Sequence, residues 1–219
     1  MGLRSWRITR AVGTAIITPF RFSLCTGHWR SSLHSKAIDT AGQPLPWYTY
    51  PAIDFLKART FSDKTVLEFG GGQSTLWWAA RAKHVTTIEG DLDWHQYLKD
   101  KMPGNVALHH VPEDSPAKAE ETVRNLISQS GKIDVVVIDG HYRQTMLEIA
   151  FDVIAPRGCI IIDNSDGYHM FEALKDRNCH RIDFFGFSPG NSQRHCTSIV
   201  YIDDCFLLSP QFPIPSPEL

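Results

Sequence analysis

Apolar positions along the chain change period in a regular order. Short aliphatic and β-branched runs at 65–69, 84–88, 106–111, 133–138 and 159–162 alternate with segments of helical spacing at 74–82, 93–101, 120–128 and 145–154. This alternation predicts βαβ units and a mostly parallel sheet. Continuous runs such as Val135-Val136-Val137-Ile138 predict strands covered on both faces by helices. After a further helix at 170–175, runs at 182–185 and 197–202 are joined by a Gly/Ser/Asn-rich link with no helical period, which predicts an antiparallel closing pair. A helix is also expected at 52–58, entered after Pro51.

The N-terminal pattern is different. Arg4, Arg7, Arg10, Arg21 and Arg30 fall in the first 30 residues without one Asp or Glu, interleaved with Trp6, Val12, Ile16, Ile17 and Phe20. The apolar stretch 11–20 is too short to span a bilayer, and no small-x-small cleavage site follows it. The pattern predicts a helix packed on the domain with its basic face in solvent. The alternative is peripheral contact with an anionic membrane surface. A polar, turn-rich stretch at 39–46 closes this segment, which divides the chain into a basic extension (1–45), a catalytic domain (46–206) and a Pro-rich tail (207–219).

Composition narrows the function classes. A chain of 219 residues with net charge −2 has no basic excess, so a nucleic-acid partner is not expected. Five scattered cysteines form no C-x-x-C pair or zinc-like spacing, which suits a reducing, cytoplasmic setting.

Chemistry-bearing residues collect where the strands end. Gly70, Gly71 and Gly72 follow the first strand and let the backbone turn sharply beside a ligand. Ser74 opens the next helix. Glu89 ends the second strand 19 residues after Gly70, where its carboxylate can accept ribose hydroxyls. The dinucleotide fingerprint is incomplete, because Thr75 stands where the third glycine or alanine would be. Glu68, just before the glycines, would repel a pyrophosphate and suits a ligand bearing an amino group or sulfonium.

At these residues the chain resembles the class I S-adenosylmethionine-dependent methyltransferases. Glu68-Phe69-Gly70-Gly71-Gly72 is similar to their first motif, E/D-x-G-x-G, and Glu89 matches their ribose-holding acid. The resemblance implies a Rossmann-like, mostly parallel seven-stranded sheet with helices on both faces and an antiparallel last strand. It also implies S-adenosylmethionine as cofactor, with Pro112, Glu113 and Asp114 near the adenine.

The fourth and fifth strands end in Asp139-Gly140-His141-Tyr142 and Asp163-Asn164. Asp139 and His141 are candidates for removing the acceptor's proton, and Asp139 also for contacting the cofactor. Asp139, Asp163 and Asn164 form a hard-oxygen set suited to Mg²⁺ or another divalent cation. This resembles the metal-dependent catechol-type O-methyltransferases, with two departures. Tyr142 replaces that group's lysine, and the glycine loop is shorter. The aromatic corner from Pro46 to Pro51 is expected either to cover the site or to pack inside. His109 and His110 point to opposite faces of a strand, and Trp77 and Trp78 are expected in the core.

The leading expectation is methyl transfer, on oxygen, to a small acceptor such as a sugar, a phenol or another small polar compound. The alternatives are an NAD(P)-dependent oxidoreductase and a non-catalytic membrane-peripheral binding protein of the same fold.

Overall fold

A computed structural model describes residues 2–112, 115–141 and 143–215, so Glu113, Asp114 and Tyr142 lie outside the described residues. Three helices come first: α1 (Gly2–Cys25), α2 (His28–His34) and α3 (Tyr50–Lys57). Then β1 (Thr65–Phe69), β2 (His84–Glu89), β3 (Val106–His110), β4 (Ile133–Ile138) and β5 (Ile154–Ile162) alternate with α4 (Gln73–Ala79), α5 (Leu92–Lys99), α6 (Pro116–Ser130) and α7 (Arg143–Val153). Helix α8 (Met170–Leu174) precedes the hairpin of β6 (His180–Phe187) and β7 (Arg194–Tyr201).

The strands form one seven-stranded sheet in the order β3-β2-β1-β4-β5-β7-β6. β1 to β5 pair in parallel, and β7 runs antiparallel to both β5 and β6. The expected α/β architecture and antiparallel last strand are both present. Strand order reverses between β1 and β4, the kind of switch point at which open α/β sheets bind ligands.

Burial follows the pleat. Val135, Val137 and Ile161 face one apolar layer with Trp77, Trp78 and Leu56, while Val136, Ile138, Ile160 and Ile162 face the other with Leu147 and Val123. Both faces are covered, as the continuous apolar runs require. All five cysteines are free thiols.

The aromatic corner divides between its two expected roles. Tyr48 is fully buried and its hydroxyl accepts from Trp78 Nε1 at 3.1 Å, whereas Trp47 stays 53 % exposed. Helix α1 departs from expectation more sharply. Between Trp6 and Arg21 only Gly13 is less than exposed, so the helix stands off the domain instead of packing on it. Ala37 and Leu45, which follow it, join the core.

Candidate active site

The site lies on the carboxyl-end edge of the parallel strands, where the ladder continues one residue past each strand. Gly70 N–H donates to Ile88 O at 2.9 Å, Asp139 N–H to Phe69 O at 3.0 Å and Asp163 N–H to Ile138 O at 3.2 Å. Gly70 holds φ 89°, and a Cβ there would stand 2.9 Å from Gly140 Cα. The β1 and β4 loops can touch at the switch point only because both residues lack side chains. A Cβ on Gly71 would meet Thr87 Cγ2 at 2.9 Å, while one on Gly72 would meet nothing within 4 Å. Gly72 therefore presents bare backbone to a cavity of about 920 Å³.

Glu89 lines this cavity with both carboxylate oxygens already fixed. Oε2 accepts from Gly71 N–H at 2.8 Å and Oε1 from Asp91 N–H at 2.9 Å. Each oxygen keeps a lone pair, and the pair of anchors aims the carboxylate at the cavity. Trp94 closes the far side of the glycine turn. Its Nε1 donates to Gly71 O at 2.8 Å, and its ring stacks on Tyr97 with centroids 4.9 Å apart. Beside Glu89, a small pocket of about 50 Å³ is lined by Ile88, Val111, Pro112, Ala119, Met146 and His141 among others. A carboxylate beside a mostly apolar pocket is an arrangement that an adenosyl group can fill.

Glu68 lies beneath the turn instead of in the cavity. It is fully buried, and its Oε2 accepts from Thr75 Oγ1 at 2.5 Å and Thr87 Oγ1 at 3.1 Å. Thr75 in turn accepts from Gly72 N–H at 3.0 Å, so Glu68 holds the glycine turn through Thr75. Burial raises its pKa to about 7 against the lowering hydrogen bonds from Thr75 and Thr87, and among the described residues Oε1 has no hydrogen-bond partner.

Asp139 stands at the centre of the edge. Burial and then the neighbouring Asp163 raise its pKa, opposed by the guanidinium of Arg143, whose Nη2 donates to Asp139 Oδ1 at 3.2 Å. Arg143 also donates to the Asp163 carbonyl, and the Tyr168 ring covers it at 4.4 Å. Asp163 turns its carboxylate toward β7, where Oδ1 accepts from Thr197 Oγ1 at 2.7 Å and lies 3.4 Å from His195 Nε2. Burial disfavours charge on His195, but the negative charge of the facing Asp163 outweighs it, so its pKa is raised.

A second cavity of about 590 Å³ adjoins the first on this side, lined by Ser31, Ser32, Asn164, Asn191 and His195 among others. Ser35, Lys36, Trp47 and Asp139 line both cavities. His141 lines the first cavity and the small pocket beside Glu89.

The metal expectation does not fit these side chains. The cation beside Asp139 is Arg143, and Asp163 commits Oδ1 to Thr197 and His195. Among the described residues, His, Cys, Asp and Glu side chains form no cluster of three able to hold an ion. Asn164 lines the second cavity with φ 50°.

Sequence reasoning missed Arg143, His195 and Trp94. A basic residue directly after Asp139-Gly140-His141-Tyr142 was a usable signal for the first. His195 meets Asp163 through the fold of an antiparallel hairpin, which no local spacing announces.

A Rossmann-like sheet with a glycine turn, a strand-end acid and an adjoining apolar pocket at its switch point has the parts of a nucleoside-cofactor site. Residues 67–165 match the methyltransferase domain family, and the chain carries a class I S-adenosylmethionine-dependent methyltransferase domain. That match favours methyl transfer from S-adenosylmethionine over the nicotinamide alternative. No curated protein matches the chain in sequence. The fold is similar to that of the cofactor-bound Rv0187 protein from MTB, at 18 % identity and TM-score 0.59 over 86 % of this chain and 96 % of that one. It is also similar to TomG, an O-methyltransferase of tomaymycin synthesis from Streptomyces achromogenes solved with its cofactor. There the identity is 15 % and the TM-score 0.55, over 92 % of this chain and 99 % of that one. A third likeness is to the MycE methyltransferase of mycinamycin biosynthesis, at 16 % identity and TM-score 0.50 over 76 % of this chain and 48 % of that one.

Proposed function

We propose that the protein methylates a hydroxyl oxygen on a small polyol-like acceptor held in the second cavity. The observation that carries this reading is the place of Asp139, among the described residues the one carboxylate that lines both cavities. A carboxylate at that junction can take the hydroxyl proton on the face directed at the transferred methyl. Its raised pKa makes it a stronger base than an exposed carboxylate, and Arg143 fixes its orientation.

The other residues have supporting roles. Glu89, the glycine turn and Ser74 hold S-adenosylmethionine, which supplies an electrophilic methyl group when bound. Glu68, through Thr75, keeps the turn in place. Transfer is an in-line displacement, so the chain contributes mainly alignment and exclusion of water. The second cavity is lined by serine and asparagine side chains beside the exposed Trp47, a surface suited to hydroxyl groups and a sugar-like ring face. The likeness to TomG agrees with transfer to oxygen.

The test is transfer of labelled methyl from S-adenosylmethionine to a panel of monosaccharides, phenols and amines. Label on a sugar hydroxyl is the expected result. Label on nitrogen or carbon, or on phenols alone, overturns the polyol reading.

A further inference from the structure

Helix α1 runs 24 residues, about 36 Å, and from Trp6 to Arg21 every residue except Gly13 is exposed. Trp6, Ile8, Val12, Ile16, Ile17 and Phe20 are each 52 to 65 % exposed. On a helical wheel these six spread over one broad arc, while Arg7, Arg10 and Arg21, with Thr14 and Thr18, occupy the remainder. A helix with this split, strongly basic on its polar side and bulky on the other, has the form of an interfacial helix. No helix among the described residues is long and apolar enough to cross a membrane.

Charge is divided in the same way. All 24 acidic residues lie from Asp39 onward with 16 of the 22 basic ones, so the net −2 separates into +6 before Asp39 and −8 after it. The basic segment is therefore attached to a body that an anionic surface repels, which leaves α1 as the contacting element. Pairing of two copies through the apolar arcs would bring two sets of arginines side by side with no acid on either helix, which is electrostatically unfavourable.

The far end of α1 is fixed to the domain. Phe22 meets Tyr50 edge-on at 5.3 Å and Phe187 at 6.1 Å. After Gly27 the chain enters α2, whose Ser31 and Ser32 line the second cavity.

We propose that α1 docks the domain onto the surface of anionic phospholipid bilayers. Its apolar arc lies at the headgroup–acyl boundary, and Arg7, Arg10 and Arg21 lie on lipid phosphates. This places the acceptor cavity one short helix away from the bilayer-bound segment.

The experiment is co-sedimentation of the full chain with phosphatidylcholine vesicles with and without phosphatidylglycerol, at low and high salt. Two triple variants accompany it, Arg7→Glu/Arg10→Glu/Arg21→Glu and Ile16→Ser/Phe20→Ser/Leu24→Ser, with S-adenosylhomocysteine affinity in solution as the check on folding. Wild type should partition onto phosphatidylglycerol vesicles and come off with salt, and each triple variant should partition about tenfold less or worse. If a triple variant loses the nucleoside, the same comparison is made on Arg10→Glu and Ile16→Ser alone. The proposal is overturned if wild type stays in the supernatant, or if the arginine variant binds as wild type does. It is equally overturned if sedimentation equilibrium without lipid shows a dimer that the serine variant dissolves. Since α1 lies outside the catalytic cavities, none of these results bears on methyl transfer.

Discussion

The cavity holding Glu89 and the cavity holding Asn164 share a wall at Asp139 but draw on the chain in different ways. The first is assembled from consecutive turns: β1 supplies Gly70 to Gly72, β2 supplies Glu89, and backbone N–H groups of those same turns fix the carboxylate. The second takes its lining from α2, Trp47, the end of β5 and the 188–195 segment, with Ser31 and His195 at its extremes in sequence. A cofactor common to many enzymes can be held by local sequence, since its site needs only the edge of the sheet. An acceptor site has to be completed by additions around that edge, where sequence can vary without disturbing the fold.

Asp139 belongs to both sides, and its removal should have the largest effect. Asp139→Asn keeps an acceptor for Arg143 but removes the base, so kcat should fall by about 10²–10⁴-fold. Calorimetric affinity for S-adenosylhomocysteine should stay within a few-fold of wild type. A variant that retains kcat assigns the proton to another group.

The next two substitutions separate the cavities. Glu89→Ala should weaken S-adenosylhomocysteine by about 1–3 kcal/mol, since hydrogen bonds to a charged group are lost and two loop N–H groups are released. Trp47→Ala should leave that affinity nearly unchanged and raise the acceptor KM by about tenfold, the loss of an aromatic platform. Trp47→Ala with weakened nucleoside binding and unchanged KM would mean that the wall belongs to the cofactor side.

The same contrast explains what the sequence disclosed. The alternation of strand and helix, the glycine turn and the place of Glu89 at a strand end were legible because each is a pattern within a few residues, set by pleat period and turn geometry. Trp77 and Trp78 read correctly as core for the same reason. The pairing of Asp163 with His195 was not legible, because a register between β5, β7 and the hairpin decides it. Arg143 was overlooked for a chemical reason. Two strand-end carboxylates suggested a metal, when a neighbouring guanidinium supplies the positive charge and also satisfies a strand-end carbonyl. Helix α1 was recognised from its arginines, but its detachment from the domain depends on whether any core surface remains to cover it.

The smallest expected effect comes from the buried support under the cofactor turn. Glu68 has a folded pKa of about 7 against an ordinary 4.5, because burial disfavours its charge. Between these values the folded chain binds a proton that the unfolded chain has released, so stability falls as pH rises. The penalty is absent below pH 4.5 and complete above pH 7. Asp139, raised in the same direction, adds to the slope. The melting midpoint of the ligand-free protein should drop between pH 5 and pH 8 by on the order of 5 °C. Glu68→Gln cannot ionise and should drop less, losing its advantage over wild type as the pH is lowered. Parallel curves for the two proteins would show that Glu68 keeps its charge in the fold. The glycine turn would then rest on a carboxylate that Thr75 and Thr87 already stabilise in full.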